Sequence, residues 1–320
     1  MSERLGKPLD APLFDRVALI GLGLIGSSVA RAVRHRNVAR TIVAIDRDEA
    51  TIARVRELGI ADEVTTDAAE GVRNADLVIL CVPVGACEAV AKAIHRNLKA
   101  GAIVSDVGSV KASVIAQIQP HLPAGVSFVP AHPVAGTEYS GPDAGFATLF
   151  LKRWCILTPP DGTDEAAIDR MSAFWSALGS DVEVMTAQHH DLVLAITSHV
   201  PHLIAYNIVG TAADLETVTQ SEVIKFSAGG FRDFTRIAAS DPTMWRDVFL
   251  HNKEAVLEML GRLNEDIALL ARAIRWGEGD KLHDLFTRTR AIRRGIISQG
   301  QETPEPDFGR RRDEPESGAQ

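Results

Sequence analysis

The chain has 320 residues, 46% of them hydrophobic and 24% charged, with a formal net charge of −8. That length accommodates two domains with sizeable cores. The acidity excludes a general nucleic-acid binder, whose affinity rests on clustered Lys and Arg, so an anionic small substrate would need a local group of basic side chains. The three scattered cysteines, Cys81, Cys87 and Cys155, form neither a disulfide framework nor a zinc-binding pattern.

At the N-terminus, residues 1–13 read as a flexible lead without the apolar core of a secretory signal. No apolar run approaches the roughly 18 residues that span a bilayer, so the expected location is the cytoplasm, with no membrane partner. From residue 14 to 184, short apolar runs alternate with helix-length segments. The strands expected are "RVALIG", "TIVAID", "ADLVILCVP", "GAIVSDVGS", "VSFVPAHP", "WCILTPP" and "DVEVMT", with helices over 27–36, 48–58, 86–98, 110–119 and 164–179. Such alternation implies a mostly parallel sheet covered on both faces, an α/β doubly wound domain. Cys81, inside "DLVILCVP", is expected as a small core residue.

The first strand runs into "GLGLIGSS", which holds Gly21, Gly23 and Gly26 in G-x-G-x-x-G spacing. Placed between a strand and a helix, this is a Rossmann-type dinucleotide fingerprint. The first glycine allows a tight turn, the second lets backbone approach a pyrophosphate, and the third lets the helix pack close to the strand. Asp46 ends the second strand twenty residues after Gly26. A carboxylate there accepts hydrogen bonds from a ribose 2′-hydroxyl, which favours NAD over NADP. The cofactor-binding candidates are therefore Gly21, Gly23, Leu24, Ile25, Gly26 and Asp46, with Val82 and Pro83 at the end of "DLVILCVP".

In such a sheet, ligands sit at the carboxyl ends of the strands. "GAIVSDVGSVK" brings Ser105, Asp106, Ser109 and Lys111 there, and "VSFVPAHPVAGTEYSG" brings His132, Thr137, Glu138 and Ser140. Oxidising an alcohol by hydride loss requires a base for the hydroxyl proton, and His suits that task near neutral pH. His132 is the candidate base, with Ser109 placed to hydrogen-bond the same hydroxyl or orient the imidazole.

Beyond about residue 185 helical periodicity takes over, which defines a second, all-helical domain over 185–298. "LAITSHVPHLIAYN" sets His199 and His202 three apart, without the carboxylate or Cys that would complete a metal site. "GGFRDFTRIAASDPTMW" carries Arg232 and Arg236, four apart on a helix face, and Arg236 lies in the more apolar context. A guanidinium grips a carboxylate through two parallel hydrogen bonds. "SDP" reads as an N-cap with Pro at the first helical position. Val256, Leu260, Leu263, Ile267, Leu270 and Ile274 follow a 4-3-4-3-4 spacing, a helix-packing seam expected to support a homodimer. Residues 299–320, polar and Pro-containing with "GRRR" within them, read as a disordered tail.

Together "GLGLIGSS", "SDVGSVK", "AHPVAGTEYSGP", "TSHVPH" and "GGFRDFTRIAASDPTMWRDVF", in order over about residues 15–275, resemble the prephenate/arogenate (cyclohexadienyl) dehydrogenase family of tyrosine biosynthesis. The last three motifs are far more specific than the glycine fingerprint. The resemblance implies NAD-dependent oxidation of the substrate's ring C4 alcohol coupled to loss of the ring carboxylate. The product is 4-hydroxyphenylpyruvate from prephenate or tyrosine from arogenate. It further implies that His132 takes the hydroxyl proton, that Ser109 hydrogen-bonds that hydroxyl and the histidine, and that Arg236 binds a substrate carboxylate. His202 and Glu138 would line the same pocket, beside Thr137. The implied fold is a Rossmann domain followed by a helical domain that dimerises. Asp143, in "SGPDAGF", is the candidate discriminator: an unpaired carboxylate would attract the ammonium of arogenate and repel prephenate's extra negative charge. Use of arogenate is expected, and prephenate stays open.

Two other readings compete. One is a different two-domain NAD(P) dehydrogenase for a hydroxy acid, using a lysine of the helical half, for which Lys225 and Lys253 are the candidates. The other is a dinucleotide-binding sensor without catalysis, which would lack polar groups at the strand tips.

Overall fold

A computed structural model of the chain describes residues 6–219 and 228–298. The first five residues of the lead, Lys225 and the tail 299–320 with its "GRRR" lie outside the described residues. The chain divides into two compact units after Leu257.

The first unit is built on six parallel strands: β1 (Phe14–Ile20), β2 (Ala39–Ile45), β3 (Glu63–Thr65), β4 (Leu77–Leu80), β5 (Ile103–Asp106) and β6 (Ser127–Phe128). Their order is β3-β2-β1-β4-β5-β6, so the direction of winding reverses between β1 and β4. Strands of this kind read as unbroken apolar runs because both faces are covered. Alternate residues of β1 show it: Val17 and Leu19 enter one core cluster, Ala18 and Ile20 the other. Helices α1 (Leu24–Arg36), α2 (Glu49–Leu58), α3 (Ala68–Gly71), α4 (Cys87–Ile94) and α5 (Ala112–Ile118) supply the crossovers. Cys81 packs, partly buried, against the first cluster.

Three local expectations change. "VSFVPAHP" is not one strand. It breaks at Pro130 into β6 and β7 (Ala131–Pro133), and β7 belongs to a second sheet with β8 (Trp154–Leu157) and β9 (Asp181–Val184), in the order β7-β8-β9. Proline has no N–H to give a ladder, and the carbonyl of Pro130 instead accepts from Thr158 N at 3.0 Å, on the new sheet. β7 pairs antiparallel with β8, and β8 parallel with β9. Edge strand β3, short and bearing the exposed Glu63, has no apolar run to announce it. Residues 6–13 are not a free lead: Leu9 N donates to Arg36 O at 2.8 Å and Leu13 N to Val38 O at 2.9 Å.

After β9 the described chain is helical. Helix α6 (Glu165–Ala177) precedes β9, and α7 (Ala187–Leu194) runs through a π-helical turn, Ala195–His199, into α8 (Val200–Thr219). Then come α9 (Gly229–Thr235), a 3₁₀ turn at Arg236–Ala239 and α10 (Pro242–His251), which Asp241 caps by accepting from Met244 N at 2.8 Å. The run Ala187–Asp214 is long and apolar enough, by length and composition alone, to cross a bilayer. It is not an unbroken apolar stretch in the sequence: Asp191, Ser198, His199 and His202 interrupt it, and each has a partner within the chain.

The second unit holds the larger part of α11 (Lys253–Trp276) and α12 (Gly279–Ser298), joined through Gly277 in the left-handed region at a φ of +68°. Along the seam of α11, Val256 is 5% exposed, whereas Ile267 and Ile274 are 51% and 68% exposed.

Candidate active site

At the tip of β1 the three glycines are needed for three different reasons. Gly21 has a φ of +96°, and a Cβ on it would lie 2.6 Å from the carbonyl oxygen of Cys81. A Cβ on Gly26 would fall 2.0 Å from the carbonyl of Gly21, so the helix can sit this close only without one. A Cβ on Gly23, the N-cap of α1, would meet no protein atom within 4 Å. The protein leaves the space over Gly23 open, the free N–H groups of a helix start there, and a pyrophosphate fits that position. Asp46 leaves β2 beside this loop, accepting from Leu22 N at 2.8 Å and Asp48 N at 3.1 Å. Val82 and Pro83 follow β4, the neighbour of β1 at the switch point. The residues present therefore fit a dinucleotide across the ends of β1, β2 and β4, with Leu24 and Ile25 opening α1.

The base candidate hangs from the other sheet. His132 lies in β7 opposite Ile156 of β8 and is 6% exposed. Its Nδ1 is 2.8 Å from Nε2 of His190, and Nδ1 of His190 is 2.8 Å from Oδ1 of Asp191. Asp191 also accepts from the backbone N–H of Lys111 at 2.8 Å and of Ala112 at 2.9 Å. His190 is fully buried, and the loss of solvation lowers its pKa despite the carboxylate. Burial, with smaller contributions from His190, Lys111 and His199, takes the His132 pKa well below the usual histidine range. Lys111 completes the floor of this region: its buried Nζ pairs with Asp106 and donates to Ala131 O at 2.8 Å, the residue before His132. Desolvation raises the Asp106 pKa in spite of that lysine. Ser109 lies three residues beyond the end of β5 and is half-buried.

A second set of side chains comes from the helices. Asn252 joins the two sets, donating to Asp191 O at 2.9 Å and lying 3.1 Å from His199 Nδ1. Burial brings the His199 pKa down to about 4, and the backbone of Ser109 acts weakly in the opposite sense. The Nε2 of His199 is buried without a partner in hydrogen-bond geometry, so the Ser109 backbone is a near neighbour and not a strong acceptor. His199 stands edge-on to Trp245 at 6.1 Å, and His202 stacks on the same indole at 3.7 Å. His202 Nδ1 is 2.8 Å from Ser198 O inside the π-helical turn, a feature frequent at functional sites. Arg236 is close enough to His202 to lower its pKa, after the larger effect of burial, and its Nη1 donates to Glu138 Oε2 at 3.1 Å.

One connected group thus runs from His132 through His190, Asp191, Asn252, His199, Trp245 and His202 to Arg236 and Glu138, all within the first unit. Thr137 is half-buried in the Glu138 loop, its Oγ1 accepting from Tyr139 N at 3.3 Å. Asp143 is not part of the group. Its carboxylate is held by Arg54 of α2 at 2.6 Å and is 59% exposed, so the unpaired charge that would select an ammonium is absent at this position. Lys253 is exposed at the start of α11. His190, Asp191 and Asn252 escaped the sequence reading. "QHHDLVL" looks like an ordinary amphipathic start of a helix, and only the fold shows two of its polar residues buried. A cavity of about 580 Å³ lined by Ile103, Gln119, Thr163 and Arg170 lies toward the start of β5, away from these groups.

The fold and the two half-sites define the class, a Rossmann-type dinucleotide-binding oxidoreductase with a buried imidazole in the short strand β7. Residues 29–184 match the family model for the prephenate dehydrogenase nucleotide-binding domain, and residues 186–288 match that for the prephenate dehydrogenase dimerization domain. The chain belongs to the prephenate dehydrogenase family. It is 44% identical to a cyclohexadienyl dehydrogenase of Zymomonas mobilis, over 88% of this chain and 96% of that one. It is 33% identical to a prephenate dehydrogenase of Bacillus subtilis, over 88% of this chain and 76% of that one. Among solved structures, prephenate dehydrogenase from A. aeolicus in complex with hydroxyphenyl propionate and NAD+ superposes with a TM-score of 0.82 at 33% identity, covering 88% and 98% of the two chains.

Proposed function

We propose that this chain catalyses the NAD-dependent oxidative decarboxylation of prephenate, arogenate or both, as a homodimer in the cytoplasm. The observation that carries the reading is the buried His132, neutral at physiological pH and joined through one hydrogen-bonded and stacked group to Arg236. NAD bound along the glycine loop supplies the acceptor for the hydride leaving ring C4. His132 takes the hydroxyl proton as that hydride departs, and its lowered pKa keeps it unprotonated and ready. Ser109 contributes a hydroxyl that orients the reacting alcohol. Arg236 grips a substrate carboxylate, with Glu138 holding the guanidinium beforehand. Aromatisation makes loss of the ring carboxylate downhill, so holding C4–H against the nicotinamide and removing one proton is the protein's main task. The match of residues 186–288 to a dimerization domain and the exposed Ile267 and Ile274 support the dimer.

The test is direct. Purified protein is mixed with NAD and either prephenate or arogenate, and NADH absorbance is followed. NADH should appear with at least one of them; its failure to appear with both removes the reading.

A further inference from the structure

A neutral imidazole has one protonated and one bare nitrogen, and only the bare one accepts a proton. The neighbours of His132 determine which is which. Three N–H groups converge on the carboxylate of Asp191: the backbone of Lys111 and of Ala112, and His190 at Nδ1. A carboxylate only accepts, so His190 carries its proton on Nδ1 and its Nε2 is bare. That bare nitrogen lies 2.8 Å from Nδ1 of His132. Two bare nitrogens would repel at this separation, so the proton of His132 sits on Nδ1 and Nε2 is left for chemistry.

We propose that His190 and Asp191 are positioning residues that fix His132 in the tautomer with a bare Nε2 and steady the imidazolium formed when that nitrogen is protonated. This rests on His132 being the base of the proposed reaction. In the step, the substrate O–H bond breaks, an N–H bond forms at Nε2, and the hydride goes to NAD. The proton on Nδ1 stays where it is, shared in a hydrogen bond with His190. The titratable groups facing the two rings are Lys111, Asp106, His199 and Asp191. Lys111 and Asp106 satisfy each other in a buried pair. Asp191 is therefore the negative charge left to balance a protonated His132.

Nitrogen-15 NMR of histidine-labelled protein reads the tautomer without any turnover. His132 should show a protonated Nδ1 and a bare Nε2, and the reverse would overturn the proposal. Kinetics supply a second reading. In Asp191→Asn the amide can donate to His190 and so reverse both tautomers; kcat should fall about 10²- to 10⁴-fold with KM little changed. The acid limb of kcat/KM should move to lower pH, because the imidazolium has lost its counter-charge. A merely structural Asp191 would reduce the amount of folded enzyme and leave that limb in place. Unchanged kcat with an unmoved limb would overturn the proposal. Should Asp191→Asn not fold, since two backbone N–H groups depend on it, His190→Phe and His190→Gln decide. Phe removes both ring nitrogens. Gln keeps one acceptor and one donor, and should recover at least about tenfold of the loss. Equal rates for the two variants count against the proposal. If the wild type reduces NAD with neither substrate, it is the functional reading that fails, and the NMR result still stands on its own.

Discussion

The two halves of this site are made in opposite ways. The cofactor end is backbone: Gly21, Gly23 and Gly26 matter for what they lack, and all three sit within six residues of one another. The proposed catalytic end is side chain: His132 meets His190 fifty-eight residues later in the chain, and Arg236 meets Glu138 across ninety-eight. A site made of local backbone announces itself by spacing. A site made of distant side chains exists only once two sheets and several helices have met. At Gly21 and Gly26 the first leaves no room for a Cβ, and the second depends on hydrogen-bonding character.

That contrast can be tested from its strongest consequence downward. His132→Asn should reduce kcat about 10²- to 10⁴-fold while NAD still binds, because general-base catalysis is lost and the glycine loop is untouched; NADH formation and a separate NAD titration measure the two. Arg236→Ala should raise KM about 10- to 100-fold, as expected for a charge-assisted, two-point grip on a carboxylate. The diagnostic pattern is a smaller effect on kcat than on KM in steady-state kinetics. Gly23→Ala should weaken NAD binding about tenfold with an unchanged melting temperature, since the added methyl meets no protein atom. Gly21→Ala should lower the melting temperature too, its Cβ falling against a carbonyl at positive φ. Calorimetric NAD titration and thermal melts separate this pair.

Smaller effects follow from pH and from the surface. The folded-state pKa values of His132, His190 and His199 are all lowered by burial, that of His199 to about 4. Each must be neutral in the folded protein, so the unfolded chain binds more protons as pH falls below the ordinary value of 6.5. The stability these groups contribute is intact above that value and is lost progressively as pH falls from it toward the folded values. The melting temperature should therefore decline through this window, with the acid limb of kcat/KM below 6.5. Asp143→Asn should leave the prephenate-to-arogenate ratio of kcat/KM unchanged within about twofold, because that carboxylate is held by Arg54. A large shift in the ratio would require the loop to leave Arg54 during the reaction.

Much of this was legible beforehand, for physical reasons. Buried parallel strands need continuous apolar runs, so "VALIG", "TIVAI" and "LVILC" could be placed. Asp46 was legible because a strand end and a fixed offset define it. His132 and Ser109 were named from strand ends and Arg236 from a helix face, while the expected roles of Arg236, His202 and Glu138 came only through motifs shared with a family. His190 and Asp191 were not, because a polar pair at a helix start is ordinarily solvated and nothing local says that it will be buried. Asp143 was misjudged for a related reason: its partner Arg54 lies eighty-nine residues away, on a helix whose exposed face offered no hint. The break at Pro130 was missed because "VSFVPAHP" keeps its apolar character through the proline, and which sheet each half joins is decided by Thr158 and Val104 from elsewhere.

The antiparallel ladder of β7 on β8 pairs only three residues, Ala131 with Leu157, His132 with Ile156 and Pro133 with Cys155. Side chains alternate between faces along a strand, so sliding this ladder by one position would send the imidazole to the wrong side. "WCIL", whose one thiol, Cys155, is buried in the core, is thus the ruler against which His132 is measured. Lengthening the hairpin between residues 134 and 153 should cost the enzyme far less than a one-residue deletion inside that plain stretch of sheet.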